Sequence, residues 1–305
     1  MCGIVGYLGK GIAQESLVDG LRRLEYRGYD SAGVAFHEGY KFSLARETGR
    51  VKNLADAVKI NGSSSSLGIA HTRWATHGPV TVANTHPHVS YDGKFVMVHN
   101  GVIENFSTLK RFLIGKGVEF SSETDSEVLC NLIAYHYSEL EEYDDRFIDA
   151  VRLALPQCRG AYGIAVLCLD YPDMMVGARR GSPLVVGLGD DANFIASDAS
   201  AFVGRAKEAV FLNDGEVAIL KKNDFRITTL EGQDAPAVTH PVDQISEEVD
   251  LGDFGSYMEK EIYEQPNALK NTLRGRFGDD GTTAKLGGLE GHEDELRNLD
   301  RIIFV

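Results

Sequence analysis

Positive charge, cysteine and long apolar runs are all scarce in this sequence of 305 residues. The formal net charge is -14, and nucleic-acid phosphates are bound by clustered Lys and Arg side chains, which such a composition does not favour. No apolar run approaches the roughly 20 residues that a membrane-spanning helix needs. We therefore expect neither a nucleic-acid partner nor a membrane partner.

Only four cysteines are present, and none of them forms a Cys-x-x-Cys pair: Cys2, Cys130, Cys158 and Cys168. Their spacing gives no disulfide framework, and the N-terminus lacks the basic and apolar regions of a secretory signal. These absences predict a reduced, cytoplasmic protein. The hydrophobic fraction of 43% is that of an ordinary globular protein, and the length suffices for one large domain with an extension.

Cys2 directly follows the initiator methionine and is small enough for Met1 to be removed. Removal would leave a thiol and a free α-amino group on one residue. An α-amino group titrates at about 7.7–8.0, so near neutral pH it can take a proton from the thiol or from an attacking water. The position indicates an N-terminal nucleophile. A buried cysteine at the head of a strand would explain it equally well.

Strand patterns lie at both ends of the first 232 residues, and helical patterns lie between them. Gly3 to Gly9 is typical of a buried strand, and the next segment places Leu17, Leu21 and Leu24 on one helical face. From Ala161 onward, short apolar runs separated by turns predict a sheet built by hairpins. The fold class predicted is α+β, a sandwich of sheets covered by helices.

The apolar pattern fades after about residue 232, which suggests three segments. Residues 2–232 are assigned to one domain, 233–256 to a linker, and 257–305 to a helical and irregular extension. A helix is expected from about Tyr257 towards Arg274, with Pro266 kinking or breaking it.

Asn100-Gly101 lies between two apolar runs and has two possible roles. Such a dipeptide is the strongest short-range signal for a β-hairpin turn, and on local pattern alone we favour that interpretation. The alternative is an oxyanion hole that uses the side-chain amide of Asn100 and the backbone N–H of Gly101.

Thr124-Asp125-Ser126-Glu127 has the Thr-x-x-Glu pattern of a capping box ahead of an apolar helix. Capping accounts for Thr124 and Glu127. It leaves Asp125, in the first helical turn, free to bind a cation such as a substrate ammonium group.

The segment His71 to Gly78 is polar and aromatic at the point where a strand leaves the core. Arg73 is able to bind a carboxylate through two parallel hydrogen bonds, or it is a surface arginine beside an ordinary core Trp74. The histidines of this region raise a metal hypothesis, but no carboxylate or thiolate falls at a recognised ligand spacing. We expect no metal and no cofactor.

Several segments together resemble one family, the isomerising glutamine–fructose-6-phosphate aminotransferases, or glucosamine-6-phosphate synthases: Met1 to Gly6, Leu21 to Gly33, His71 to Gly78, His99 to Gly101, Ser122 to Glu127 and Glu259 to Asn267. The first segment would fit any class II glutamine amidotransferase. The second and third are much more specific to the aminotransferases. The resemblance implies a four-layer αββα sandwich of the N-terminal nucleophile hydrolase type, with two mainly antiparallel sheets between helix layers.

The resemblance also implies catalytic roles. Cys2 attacks the side-chain amide of glutamine, its own α-amino group serves as the base, and Asn100 and Gly101 hold the tetrahedral oxyanion. Ammonia then leaves a γ-glutamyl thioester, which water hydrolyses.

The substrate-binding roles follow in the same way. Arg73 binds the α-carboxylate of glutamine with help from Thr76 and His77, and Asp125 binds its α-ammonium group. Two further residues are implied to have supporting roles: Arg27, which braces the N-terminal residue, and Trp74, which closes over the substrate and gates ammonia transfer.

The family continues into a sugar-phosphate isomerase half that binds fructose 6-phosphate, and this sequence stops near the start of that half, at Arg301 to Val305. We therefore expect a truncated or split sequence that hydrolyses glutamine without making glucosamine 6-phosphate. Residues 257–305 are expected to be poorly ordered or differently packed, and the full-length family is expected to be homo-oligomeric. The alternatives are a class II amidotransferase of the purine-synthesis type and a catalytically inactive interaction module.

Overall fold

The computed structural model describes residues 2–75, 78–222, 224–242, 254, 257–273 and 291–301. Contacts between Cα atoms divide the chain into two compact units, Met1–Val249 and Asp250–Val305. The first unit contains two antiparallel sheets, and each is described in turn below.

The first sheet has eight strands in the spatial order β14-β11-β9-β10-β1-β4-β2-β3. Their bounds are β1 Gly3–Gly9, β2 Ser31–His37, β3 Phe42–Thr48, β4 Leu67–Arg73, β9 Val185–Leu188, β10 Ala192–Ala196, β11 Glu208–Phe211 and β14 Thr239–Pro241. Within this sheet β1 pairs with β4, in the register that places Gly3 opposite Thr72. This register brings the start of β1 to the end of β4.

The second sheet has six strands in the order β13-β12-β8-β7-β6-β5. Their bounds are β5 His88–Val89, β6 Phe95–Ile103, β7 Gly160–Cys168, β8 Met174–Arg180, β12 Glu216–Lys221 and β13 Asp224–Thr229.

The helices of the first unit lie on the outer faces of the two sheets, with bounds α1 Ala13–Leu24, α2 Val51–Asn61, α3 Phe106–Gly115, α4 Asp125–Glu139 and α5 Arg146–Ala154. Alternation along the strands decides which side chains face them, because successive side chains of a strand point to opposite faces. In β1, Val5 and Tyr7 pack with α1 and α2, whereas Ile4 and Leu8 join the apolar layer between the sheets. In β6 the odd-numbered residues from Phe95 face α4, and the even-numbered residues from Val96 face the other sheet. Three apolar clusters thus separate four layers, as the αββα expectation requires.

Many predicted elements are confirmed, but the hairpin interpretation of Asn100-Gly101 is wrong. Both residues lie inside β6, opposite Gly163 and Tyr162 of β7. Pairing with a distant strand has overridden the local turn signal.

The hairpins that follow Ala161 do not build one sheet. The β7–β8 and β12–β13 hairpins join the second sheet, whereas β9, β10 and β11 extend the first. The period-2 pattern identifies strands, but it carries no information about which of two sheets receives them. The short strand β11 was not predicted.

The segment predicted as a linker contributes β14, which pairs with β11 at the edge of the first sheet. An edge strand offers unpaired backbone groups, so a short extended segment can add to it.

In the second unit, the helix expected from Tyr257 is present as α6 Tyr257–Leu273, followed by a short helix α7 Glu293–Arg297. Pro266 lies inside α6, so the expected break is absent from this described helix. The polar segment 275–290 and residues 302–305 lie outside the described residues, and the expectation of poor order there stays a prediction.

Candidate active site

Cys2 lies immediately before β1 and is held against the end of β4. The backbone N–H of Trp74 donates to Cys2 Sγ at 3.2 Å, and Sγ lies 3.5 Å from the carbonyl oxygen of Trp74. The thiol is therefore fixed by main-chain groups at the point where the polar segment His71 to Gly78 leaves the sheet.

Burial raises the pKa of the Cys2 thiol, because a thiolate loses hydration in a low-dielectric site. The carboxylate of Asp30 also raises this pKa, whereas the Trp74 backbone hydrogen bond and the charge of Arg73 lower it. A thiol of raised pKa is largely protonated near neutral pH, so its attack on a carbonyl carbon requires a base close to the sulfur.

Two contacts fix the chain beside the thiol. A Cβ atom on Gly28 would lie only 2.7 Å from the carbonyl carbon of Arg73, so the turn that contains Gly28 packs directly on the Arg73–Trp74 peptide. Asp30 accepts a hydrogen bond from the backbone N–H of Ala75. The loop after β4 is thereby held on the side of Cys2.

Asn100 and Gly101 lie on β6, across from Cys2. Asn100 Nδ2 donates to the Cys2 carbonyl oxygen at 3.0 Å. Gly101 has φ +129°, and a Cβ atom there would lie 2.1 Å from the carbonyl oxygen of Ala161. Only glycine fits this position, for both reasons. Gly101 lines the same cleft as Cys2.

Arg73 and Asp125 supply opposite charges to the same cleft, and each side chain is only 4% exposed. The Arg73 guanidinium donates to the carbonyl oxygens of Pro79 at 3.3 Å and Gly78 at 3.4 Å. Asp125 lies in the first turn of α4, where the helix dipole favours a carboxylate.

Asp125 is less free than the sequence suggested. Its Oδ2 accepts a hydrogen bond from the backbone N–H of Ile103 at 2.8 Å, which ties α4 to the end of β6.

The cleft is small and open at its mouth. Its lining joins three elements around the thiol: Cys2, Arg73, Trp74, His86, His99, Gly101, Thr124, Asp125 and Ser126. A thiol, a guanidinium and a carboxylate facing one small cleft match a zwitterionic amino acid that presents a reactive group to sulfur.

Arg27 forms an ion pair with Asp198 at 2.5 Å. The next residue back, Ser197, accepts a hydrogen bond from the backbone N–H of Ile4 through its Oγ at 3.0 Å. In the described part of the chain no hydrogen bond joins Arg27 to Cys2, so any bracing of the N-terminal residue passes through the 197–198 segment.

Of the remaining predicted residues, the structure describes Trp74, which lines the cleft. Trp74 is 48% exposed and packs edge-to-face on Tyr29, with ring centroids 5.5 Å apart. Thr76 and His77 lie outside the described residues.

The capping prediction at α4 is confirmed in part. Thr124 Oγ1 accepts from the backbone N–H of Glu127. The Glu127 carboxylate does not return to Thr124; it accepts hydrogen bonds from the backbone and hydroxyl groups of Ser121 and Ser122.

The sequence grouped the histidines of this region only in a metal hypothesis, and it did not predict that several of them pack on one another in the core. The His71 and His86 rings stack with centroids 4.1 Å apart, and His86 packs edge-to-face on His88. His99 joins them, with its Nδ1 2.8 Å from Ser126 Oγ. The only signal for the cluster was the high density of histidine between residues 71 and 99.

Three of these histidines, His71, His86 and His88, are neutral imidazoles near pH 7. Burial lowers the pKa of His71 to about 3 and holds the pKa values of His86 and His88 well below the ordinary value. Within the described ranges, no group of three or more His, Cys, Asp or Glu side chains is arranged to hold a metal ion. A search of the same residues finds no helix with the length and apolarity needed to cross a membrane.

Comparison with known proteins agrees with this geometry. A family model described as a glutamine amidotransferase domain matches residues 55–142. The chain is 42% identical to a glutamine–fructose-6-phosphate aminotransferase (isomerizing) of Chlorobaculum tepidum, over 100% of this chain and 50% of that protein. It is 45% identical to the enzyme of that name from Thermus thermophilus, over 94% of this chain and 46% of that protein. The chain thus spans about half the length of the curated relatives it matches.

Solved structures resemble the first unit. The glutamine phosphoribosylpyrophosphate amidotransferase of B. subtilis, solved with ADP and GMP, superposes with a TM-score of 0.63 at 25% identity, over 75% of this chain and 49% of that chain. A glutamine aminotransferase class-II domain protein from Silicibacter pomeroyi shares the fold, with a TM-score of 0.52 at 18% identity over 77% of this chain and 100% of that chain.

The four-layer fold and the cysteine-centred cleft agree with these matches to class II glutamine amidotransferases. Within that class it corresponds to the amino-terminal half of the glutamine–fructose-6-phosphate aminotransferases, which it matches along its whole length. The higher identity to these relatives, over more of the chain, disfavours the purine-synthesis alternative.

Proposed function

We propose that this chain hydrolyses glutamine to glutamate and ammonia through a γ-glutamyl thioester on Cys2. In the whole enzyme, this reaction would supply ammonia for the synthesis of glucosamine 6-phosphate from fructose 6-phosphate. The observation that carries the proposal is that the Cys2 thiol, the Arg73 guanidinium and the Asp125 carboxylate line one cleft.

Arg73 and Asp125 orient the substrate. Arg73 binds the α-carboxylate of glutamine, assisted by Thr76 and His77, and Asp125 binds the α-ammonium group through its Oδ1. Clamping both ends of the zwitterion directs the side-chain amide towards the sulfur, and such positioning lowers the entropic part of the barrier.

The chemistry begins when Cys2 Sγ attacks the amide carbon and the thiol proton passes to the α-amino group of the processed residue. The carbonyl oxygen becomes an oxyanion, which accepts hydrogen bonds from Asn100 Nδ2 and the backbone N–H of Gly101. When the intermediate collapses, the C–N bond breaks and ammonia leaves with the proton held by the α-amino group. Water then attacks the thioester carbon and gives a proton to the α-amino group. The C–S bond breaks, the Cys2 thiolate takes up that proton, and glutamate is released.

Three supporting assignments belong to the same proposal. Arg27 stabilises the N-terminal segment, and Trp74 and the loop after it close over glutamine and gate ammonia. The domain limits are 2–232, 233–256 and 257–305, except that β14 of the middle segment pairs with the first domain. A cytoplasmic location, a homo-oligomeric full-length enzyme and a fructose 6-phosphate site on the isomerase half stay predictions.

The experiment is a glutamate-release assay on protein whose intact mass shows loss of Met1. Cys2→Ala should release no glutamate. Cys158→Ala is the matched control, because burial raises the pKa of Cys158 to about 12 and keeps this thiol protonated. It should match the wild type.

Undiminished activity of Cys2→Ala would refute the nucleophile. Full activity of protein that retains Met1 would refute the α-amino base. A wild-type protein that has lost Met1 and releases no glutamate would overturn the proposed function and favour the inactive module.

A further inference from the structure

The side-chain amide of Asn100 is held at both ends. Its Nδ2 donates to the Cys2 carbonyl oxygen at 3.0 Å, and its Oδ1 lies 3.0 Å from His71 Nε2. The same His71 nitrogen lies 3.1 Å from the backbone carbonyl oxygen of His99. Because both of its neighbours are acceptors, His71 Nε2 carries the proton and donates.

This donor decides which way the amide points. An asparagine amide has two orientations of nearly equal shape, in which the oxygen and the nitrogen exchange places. The reversed orientation would set Asn100 Oδ1 against the Cys2 carbonyl oxygen and the amide N–H₂ against the N–H of His71. Both contacts would be repulsive, so His71 selects the orientation in which Nδ2 faces Cys2.

We infer that His71 is a positioning residue for glutamine hydrolysis, which fixes Asn100 as an oxyanion donor by donating a hydrogen bond from Nε2 to Asn100 Oδ1. The inference rests on the proposed function, since it concerns the oxyanion of that reaction. The inference gives a role to His71, whose side chain is not among those that line the cleft.

The setting of His71 fits a fixed neutral donor. His71 lies inside β4, opposite Ile4 of β1 and Gly33 of β2, so its backbone is held on both sides. Its ring is 1% exposed and stacks on His86. Burial lowers the pKa of His71 to about 3, so the ring stays neutral at physiological pH and keeps a single N–H.

The other ring nitrogen of His71 argues against a purely structural role. Nδ1 is buried and has no hydrogen-bond partner in the part of the chain that the structure describes. An unpaired buried polar atom costs stability, so an apolar side chain of similar size would suit this core position better. The hydrogen bond from Nε2 gives a reason for histidine at this site.

The inference makes a kinetic prediction. The oxyanion exists only after attack by sulfur, so misplacing its donor slows the chemical step without weakening the binding of glutamine. His71→Met keeps a side chain of similar length without a donor. His71→Gln places an amide nitrogen near the position of Nε2. Both substitutions remove the ring and its stacking on His86, so the difference between them isolates the hydrogen bond.

For His71→Met we expect kcat for glutamine hydrolysis to fall about 10- to 100-fold while KM changes less than about twofold. His71→Gln should recover kcat to within about fivefold of the wild type, because it restores the donor. The rate of Cys2 alkylation by iodoacetamide needs no oxyanion donor and should be the same in all three proteins. Circular dichroism confirms that each protein is folded.

If His71→Met does not fold, His71→Asn replaces it, since its amide is one methylene shorter and does not reach Asn100. Equal kcat in wild type and the donor-less variant would overturn the inference, as would equal losses in that variant and His71→Gln. A rise in KM at constant kcat would overturn it too. None of these results touches the proposed function, which fails only if the wild type releases no glutamate.

Discussion

At the scale of single residues, Asp125 has two separate proposed tasks. One carboxylate oxygen accepts a hydrogen bond from the Ile103 N–H, and the charge of the group faces the cleft. Replacing the carboxylate by an amide separates these tasks, because the amide oxygen can still accept from Ile103 while the negative charge is lost.

Asp125→Asn should therefore raise KM for glutamine about 10- to 100-fold, the range expected for losing a hydrogen bond to a charged group, and change kcat much less. Steady-state glutamate release at varied glutamine concentration measures both constants. Glu123→Gln is the matched control, since it removes an exposed carboxylate two residues away. An unaltered KM in Asp125→Asn would remove this residue from the ammonium site.

The residue scale also shows the limits of sequence reasoning. Cys2, Arg73 and Asp125 were predicted for one cleft through family resemblance, and the structure does bring them to one cleft. The hydrogen bond between His71 and Asn100 was not foreseen, because it joins two sheets and depends on a register that neither segment encodes by itself.

At the scale of elements, β6 carries Asn100 and Gly101, the two proposed oxyanion donors, and connects them to the core. It pairs with β7 along its whole length, and Gly101 takes a backbone conformation that other residues rarely adopt. Asn-Gly is typical of turns with a positive φ. Gly101 has such a φ, but it lies within β6 and lines the cleft. The local sequence favours a positive φ at Gly101, whereas pairing with β7 decides that this residue lies within a strand and not in a turn.

Gly101→Ala should lower the free energy of unfolding by more than about 2 kcal/mol, since it combines a strained φ with a Cβ clash against the Ala161 carbonyl oxygen. Urea unfolding followed by circular dichroism measures the change. In the control Gly115→Ala, the new Cβ meets no atom within 4 Å at the end of α3, so stability should stay equal or rise by up to about 1 kcal/mol. Similar losses in both variants would contradict the packing argument.

The layer order was predictable at this scale and the division of strands between sheets was not. Alternating apolar residues in β1, β6 and β7 face two different apolar clusters each, so a strand buried on both faces can be read from the sequence. The choice between two sheets for the β9–β10 hairpin is made by contacts with β1, nearly 190 residues earlier in the chain. Pairing between strands so far apart in the chain cannot be predicted from the periodicity of a short stretch of sequence.

At the scale of the whole molecule, the buried rings of His71, His86 and His88 couple folding to pH. An unfolded histidine titrates near 6.5, whereas burial lowers the pKa of His71 to about 3 in the folded protein. Below pH 6.5, His71 therefore binds a proton in the unfolded chain, whereas in the folded chain it stays neutral. The stability contributed by the neutral ring is complete above about pH 6.5 and is lost as the pH falls towards about 3.

The free energy of unfolding should therefore drop between pH 6.5 and pH 5, and it should drop by about 1–2 kcal/mol less in His71→Gln, which has no titrating ring at this position. Urea unfolding of both proteins at the two pH values measures the difference. An identical pH dependence would show that His71 titrates normally in the folded protein and would contradict its burial as a neutral group.

The central claim is that the sulfur of a processed Cys2 is the atom that attacks glutamine in the Arg73–Asp125 cleft. The most direct measurement is mass-spectrometric mapping of the protein after reaction with a glutamine analogue that carries a diazoketone in place of its amide. The account predicts one adduct, on Cys2 of chains that have lost Met1, and suppression of that adduct by excess glutamine. An adduct on Cys130, Cys158 or Cys168 instead, or labelling of Cys2 that glutamine does not suppress, would contradict it.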